Sequence, residues 1–262
     1  MEPEVHRYVA LGDSYTSGAG LAQAQRGSGG CERSRLNYPT LVATELGADL
    51  KDVSCGGATT GNATSPQPTR DGGANPPQLD SLTRATDLVT VGLGYNDLDF
   101  FGGLVLGCPS VAADDPEGHP CEDANAGQDR QAVVRSIGDA VEATLKAVHD
   151  RSPDARVLLV GYPQLVPAEG TCPELPLAAG DYPFVRSSLE LLDTELRRAA
   201  EAADATYVDV MAASAGHDIC AGRAAWVHGA TAQPDVAAAY HPFASEHRAV
   251  ADLILEELGR HS

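Results

Sequence analysis

Short apolar runs alternate along this chain with stretches whose apolar residues recur every three or four positions. Runs at residues 7–11, about 49–54, 87–93 (DLVTVGL), 156–161 (RVLLVG) and 205–210 (ATYVDV) predict strands. Between them, Val134, Ile137, Val141, Leu145 and Val148 form one apolar helical face. Val185, Leu189, Leu192, Leu196, Ala199 and Ala203 form a second. A last helix carries Val250, Leu253, Ile254 and Leu258 and stops at Gly259. Strand and helix in alternation are the pattern of an α/β fold, a parallel sheet covered on both faces. The stripes read as core, there is no internal repeat, and residues 62–78, 98–130 and 211–241 read as loops. At 262 residues the expectation is a single domain over 1–262.

Charge narrows the partners. The chain has 18 basic and 37 acidic residues, a net charge of −19. That argues against nucleic acid and against anionic membranes, both of which need clustered Lys or Arg. No apolar run approaches the length of a membrane span, so no stable membrane insertion is expected. Six cysteines stand at Cys31, Cys55, Cys108, Cys121, Cys172 and Cys220, with no C-x-x-C pair among them. An even set of widely spaced cysteines fits an exported, oxidised protein better than a zinc or thioredoxin-type site. With no signal peptide before Glu2, the expectation is the mature form of a secreted protein beginning at an added Met1.

Candidate chemistry lies just beyond the strands, because ligands of open α/β sheets bind past the carboxyl ends. The first strand ends in Gly12-Asp13-Ser14, within YVALGDSYTSGAG. The second is followed by SCGGATTGN (54–62), whose Gly56 and Gly57 allow close backbone approach. The third ends in GLGYND (92–97), with Asn96 and Asp97. Before the last helix stands YHPF, with His241 fixed by Pro242. Together they make a parts list for acyl transfer: a serine nucleophile, a histidine base and amide donors for a tetrahedral oxyanion. No G-x-S-x-G elbow, P-loop or G-x-G-x-x-G is present. Asp13 reads as a brace of the turn, and Asn62-Ala63-Thr64 is a glycosylation sequon.

GDSYTSG, GGATTGN, GYND and HPFASEHRAVAD resemble the four motif blocks of the SGNH (GDSL-type) serine hydrolases. The likeness runs from residue 8 to 252 and is nearest to secreted actinobacterial lipases and esterases with three disulfides. It implies a flavodoxin-like three-layer α/β/α sandwich around a five-stranded parallel sheet, with no metal or cofactor. Ser14 then matches the nucleophile and His241 the general base. The oxyanion donors become the N–H of Ser14, the N–H of Gly57 and the side-chain amide of Asn96. The disulfides implied are Cys31–Cys55, Cys108–Cys121 and Cys172–Cys220. The substrate is a small-molecule or lipid ester, taken by a monomer.

Many relatives carry an Asp three residues before the His, but here that position is Ala238. The expectation is therefore a Ser14–His241 dyad whose imidazole is oriented by the carbonyl of Ala238, or of Ala239, in preference to Asp235. Phe100, Phe101 and Leu104, in the run LDFFGGLVLG after Asn96, are candidates for an acyl pocket. Two rival readings stand beside the esterase: an acetyl-carbohydrate esterase of the same fold, and a binding module that holds an ester or glycan without turnover. The single Trp226 and 5% aromatic content offer few stacking platforms for sugars.

Overall fold

The computed structural model describes residues 4–69 and 73–259. Five strands form the expected parallel sheet: β1 (Arg7–Gly12), β2 (Asp49–Asp52), β3 (Leu88–Gly92), β4 (Arg156–Val160) and β5 (Thr206–Val208). Their order across the sheet is β2-β1-β3-β4-β5, with every pairing parallel. The direction of winding reverses between β1 and β3, and this order opens a crevice beyond their carboxyl ends.

Five helices carry the argument: α1 (Ser14–Ser17), α2 (Tyr38–Leu46), α3 (Arg130–Arg151), α4 (Tyr182–Ala202) and α5 (Ala244–Glu257). Strand residues alternate between two cores, as the period of two requires. Val9 and Leu11 of β1 join Val134, Ile137, Leu189 and Leu192 of α3 and α4. Tyr8 and Ala10 join Val42 of α2 and Val250 and Ile254 of α5 on the other face. This is the three-layer sandwich.

Four strands are shorter than the sequence predicts, and two of them, β2 and β5, lose two residues at their carboxyl ends. Residues 53–54 leave β2 because Asp52 turns its carboxylate onto the amide and hydroxyl of Ser54. Val210 leaves β5 because the Asp209 side chain accepts the Ala212 N–H and starts a helical turn over Val210–Ala213.

The larger departure is 98–130, which reads as loop but is mostly helical turns: Phe100–Gly102, a π turn over Gly103–Gly107, Cys108–Val111 and Pro120–Ala124. Phe101, Leu104, Val105 and Cys108 are buried there, at helical spacing. The bridge Cys108–Cys121 closes this segment, alongside Cys31–Cys55 and Cys172–Cys220. That is the pairing implied by the resemblance. No helix among the described residues is long and apolar enough to cross a membrane.

Candidate active site

Gly12 and Gly92 sit opposite each other at the ends of β1 and β3. A Cβ on either would fall 2.1 or 2.4 Å from the Thr16 hydroxyl, so α1 packs directly on the paired glycines. That close approach is why the first strand delivers its serine through a glycine. Gln78 clamps the same strand end, accepting the Gly12 N–H and donating to the Gly12 carbonyl, each at 2.9 Å.

Asp13 is fully buried and caps α1. Its carboxylate accepts the Tyr15 N–H at 2.8 Å and the Tyr162 hydroxyl at 2.6 Å. Burial pushes its pKa up to about 7, against the pull of those two bonds. The carboxylate is thus committed to holding the turn, which is the bracing role read from the sequence. Ser14 is the first residue of α1 and is half-buried. Its N–H lies at a helix start, where amides lack intrahelical partners, and it has no acceptor among the described residues.

The second block turns at Gly57, whose φ is +75°, a left-handed value natural to glycine. Within this turn the Cys55 N–H goes to the Gly12 carbonyl, that of Gly56 to Cys31 and that of Ala58 to Cys55. The Gly57 N–H has no acceptor among the described residues. The third block is stitched to the second. Asn96 donates through Nδ2 to the Ala58 carbonyl at 2.9 Å, which uses one of its two amide hydrogens. Asp97 accepts both the N–H and the hydroxyl of Thr60. Burial raises the Asp97 pKa while the Thr60 bonds oppose it.

His241 is held from both ends. The Ala238 N–H binds the Ala19 carbonyl, docking the loop on the residues after α1. The Tyr15 ring lies 5.2 Å from the imidazole, and its hydroxyl donates to the Tyr240 carbonyl. The Nδ1 of His241 stands 2.6 Å from the carbonyl of Ala239. A carbonyl only accepts, so Nδ1 carries the proton and Nε2 is the basic nitrogen. Burial lowers the His241 pKa, with the Ala239 bond opposing.

The carbonyl that meets Nδ1 is that of Ala239, the second of the two named from the sequence, and not that of Ala238. The Ala238 carbonyl is occupied at 3.2 Å by the N–H of His241 itself, closing a turn through Tyr240 at φ +59°. Asp235 is exposed and makes no hydrogen bond to His241 among the described residues.

The acyl-pocket candidates divide. Phe100 and Leu104 line a cavity of about 210 Å³ with Leu98 and Val133. Phe101 does not line it. Its ring stacks 4.9 Å from Tyr95 and meets Tyr15 and His241 edge-on.

Gln78, Tyr15 and Tyr162 are the supports that the sequence reading missed. Tyr162 stands directly past β4, so the rule that singled out Ser14 and Asn96 reaches it too. Gln78 carries no local signal, because its role depends on a strand end 66 residues away.

The family model for GDSL-like lipases and acylhydrolases matches residues 10–249, a span containing every residue of this candidate site. Lipase 2 of Streptomyces coelicolor is 41% identical over 217 residues, covering 81% of this chain and 72% of that protein. The crystal structure of phospholipase A1 from Streptomyces albidoflavus superposes with a TM-score of 0.80 at 27% identity, covering 97% of this chain and 98% of that one. The extracellular lipase of Streptomyces rimosus gives 0.78 at 27%, covering 96% and 98%.

Proposed function

The chain belongs to the GDSL-like lipase/acylhydrolase family, and from that premise we propose that it cleaves carboxylic esters through an acyl-enzyme on Ser14 with a Ser14–His241 dyad. That it is an ester hydrolase follows from the family and its lipase relatives. The observation that carries the mechanism is the pair of backbone amides at Ser14 and Gly57 that find no acceptor among the described residues. Amides left open at a strand-end crevice are what an oxyanion site requires.

Each residue then has one task. As Ser14 Oγ adds to the ester carbonyl, Nε2 of His241 takes its proton. The negative charge that develops on the carbonyl oxygen is met by the N–H groups of Ser14 and Gly57 and by the second amide hydrogen of Asn96. Collapse of the adduct breaks the bond to the alcohol oxygen, which leaves with the proton from His241. Water repeats the sequence against the acyl-enzyme and frees Ser14. The Ala239 carbonyl keeps the imidazole in the productive tautomer throughout, without supplying the full charge of an Asp.

The acyl chain takes the cavity walled by Leu98, Phe100, Leu104 and Val133. We read residues 1–262 as a single hydrolase domain acting outside the cell. Three disulfides and the extracellular lipase of S. rimosus support that location. The test is hydrolysis of 4-nitrophenyl butyrate by wild type, Ser14→Ala and His241→Ala, with a fluorophosphonate probe on each. Activity lost in both variants and one label, at Ser14, are expected. Activity retained in Ser14→Ala ends this account.

A further inference from the structure

The cavity beyond Asn96 has a second wall that acyl binding does not use. Arg130, at the start of α3, lines it together with Asn125, Gln128 and Ser188. Its Nη1 donates to the Ser188 hydroxyl at 2.9 Å, the Ser187 hydroxyl at 3.1 Å and the Phe184 carbonyl at 3.3 Å. Its guanidinium carbon lies 4.6 Å from the centre of the Phe184 ring. The side chain is thus fixed in place by neutral groups.

Its neighbours on the same pair of helices are treated differently. Arg135 pairs with Glu195, and Arg198 pairs with Asp139, Glu142 and Glu195. Arg130 forms no ion pair among the described residues, in a chain with 37 acidic residues. Asp99, the acid on the cavity wall, is folded back onto its own turn. A Cβ on Gly102 would stand 2.4 Å from its Oδ1. Nη1 is saturated, while Nε and Nη2 make no hydrogen bond to the described residues. A guanidinium keeps five donors in a fixed fork that matches carboxylate and phosphate oxygens. Leu98, the first wall residue, is two positions after Asn96, within about 7 Å along the chain.

Resting on the hydrolase reading, the geometry points to a subsite for an anionic oxygen group, a carboxylate or a phosphate, borne by an amphiphilic ester whose apolar part lies on the opposite wall. Arg130 is its specificity-determining residue. It selects among esters and takes no part in the chemistry at Ser14. Gln128 supplies an amide donor beside it, whereas the Asn125 amide already donates to the Cys121 carbonyl, and the apolar wall excludes small free anions as good ligands.

Three ligands with the same six-carbon apolar chain test this: hexyl phosphate, heptanoate and 1-hexanol. They are titrated by calorimetry into Ser14→Ala and into Ser14→Ala/Arg130→Met. One anion or both should bind at least about tenfold tighter than the alcohol to the first protein, and this gain should vanish in the second. Which anion gains identifies phosphate or carboxylate. Where Arg130→Met does not fold, raising salt to 0.5 M with Ser14→Ala must shrink the gain. No gain for either anion, or a gain that survives Arg130→Met, overturns the subsite.

In turnover, Arg130→Met should lower kcat/KM for a carboxylate-tipped ester, mono-4-nitrophenyl glutarate, at least about tenfold more than for 4-nitrophenyl pentanoate. The difference should fall on KM when the titration has identified carboxylate. If wild type hydrolyses neither ester, the hydrolase reading falls, while the titration still decides Arg130.

Discussion

The hydroxyl of Tyr15 donates to the main-chain carbonyl of Tyr240, at 2.5 Å, and so ties the residue after Ser14 to the residue before His241. The two are 225 positions apart in sequence, and the bond is fully buried. Tyr15 also packs against the imidazole. One side chain thus sets the separation of the proposed nucleophile and base. Tyr15→Phe keeps the ring and removes the tie, leaving a buried carbonyl without its donor. Such a loss costs about 1–3 kcal/mol, and a small misplacement of reacting groups costs up to about 10² in rate. We expect kcat to fall roughly ten- to a hundredfold, with the fold intact by circular dichroism and KM little changed. Unaltered kcat would show that the tie does not position His241.

Asp235→Asn addresses the orienting group. In a full triad, turning the orienting Asp into Asn costs on the order of 10⁴ in kcat. Here Nδ1 is already taken by the Ala239 carbonyl, and Asp235 is exposed. Activity within a few-fold of wild type across pH 6 to 9 is expected, measured above a Ser14→Ala floor. A drop of 10⁴ would restore the carboxylate.

The layered fold was legible because it rests on local periodicity. Apolar steps at Val134, Ile137, Val141 and Leu145 need only their own helix to be read. Three of the four candidate blocks stood out because they sit just past strands, and the fourth because His241 and Pro242 stand directly before α5. What failed was relational. Ala238 and Ala239 differ in role only through a turn at Tyr240, which no residue type announces. The spacing of Phe101, Leu104, Val105 and Cys108 carried a helical signal, but glycines at 102, 103 and 107 masked it. Gln78 and Arg130 act on distant partners, and their own neighbourhoods give no hint of it.

The pH dependence of turnover follows from His241. Its pKa is lowered by burial from the ordinary imidazole value of 6.5. A general base works in its neutral form, and a lowered pKa keeps that form populated to lower pH. The acid limb of kcat/KM for a neutral ester should therefore have its midpoint below 6.5. A midpoint above that value would mean that nearby charge outweighs burial at this ring.

Stability should respond to pH in the opposite region. Glu246, in the first turn of α5, is fully buried, its Oε2 makes no hydrogen bond to the described residues, and burial pushes its pKa up to about 8 from 4.5. The folded state then holds a proton that the unfolded state has released between these values. Its contribution is fully present below about pH 4.5 and is lost as pH rises through about 8. Asp13 acts in the same sense up to about 7. Glu246→Gln removes one of the two. Urea melts between pH 5 and 8 should show the decline in unfolding free energy eased by up to roughly 1.4 kcal/mol per pH unit. An unchanged slope would place the proton elsewhere.

Two of the disulfides should separate stability from two different aspects of activity. Cys31–Cys55 closes a separation of 24 residues and Cys108–Cys121 one of 13. Chain entropy makes each worth roughly 3–3.5 kcal/mol, too similar to tell them apart by melting. Their surroundings differ. Cys55 lies two residues before Gly57, and the Cys31 carbonyl accepts the Gly56 N–H. Releasing that bridge loosens the turn that presents one oxyanion donor. Cys108 instead follows the turns bearing Phe100 and Leu104, which wall the cavity. The double variant Cys31→Ser/Cys55→Ser should lower kcat for short and long esters alike, toward the 10²–10³ seen when one oxyanion donor is lost. Cys108→Ser/Cys121→Ser should leave kcat on 4-nitrophenyl acetate within a few-fold and raise KM progressively as the acyl chain lengthens. The same profile from both variants, at matched stability, would mean that neither bridge acts on the catalytic loop it adjoins.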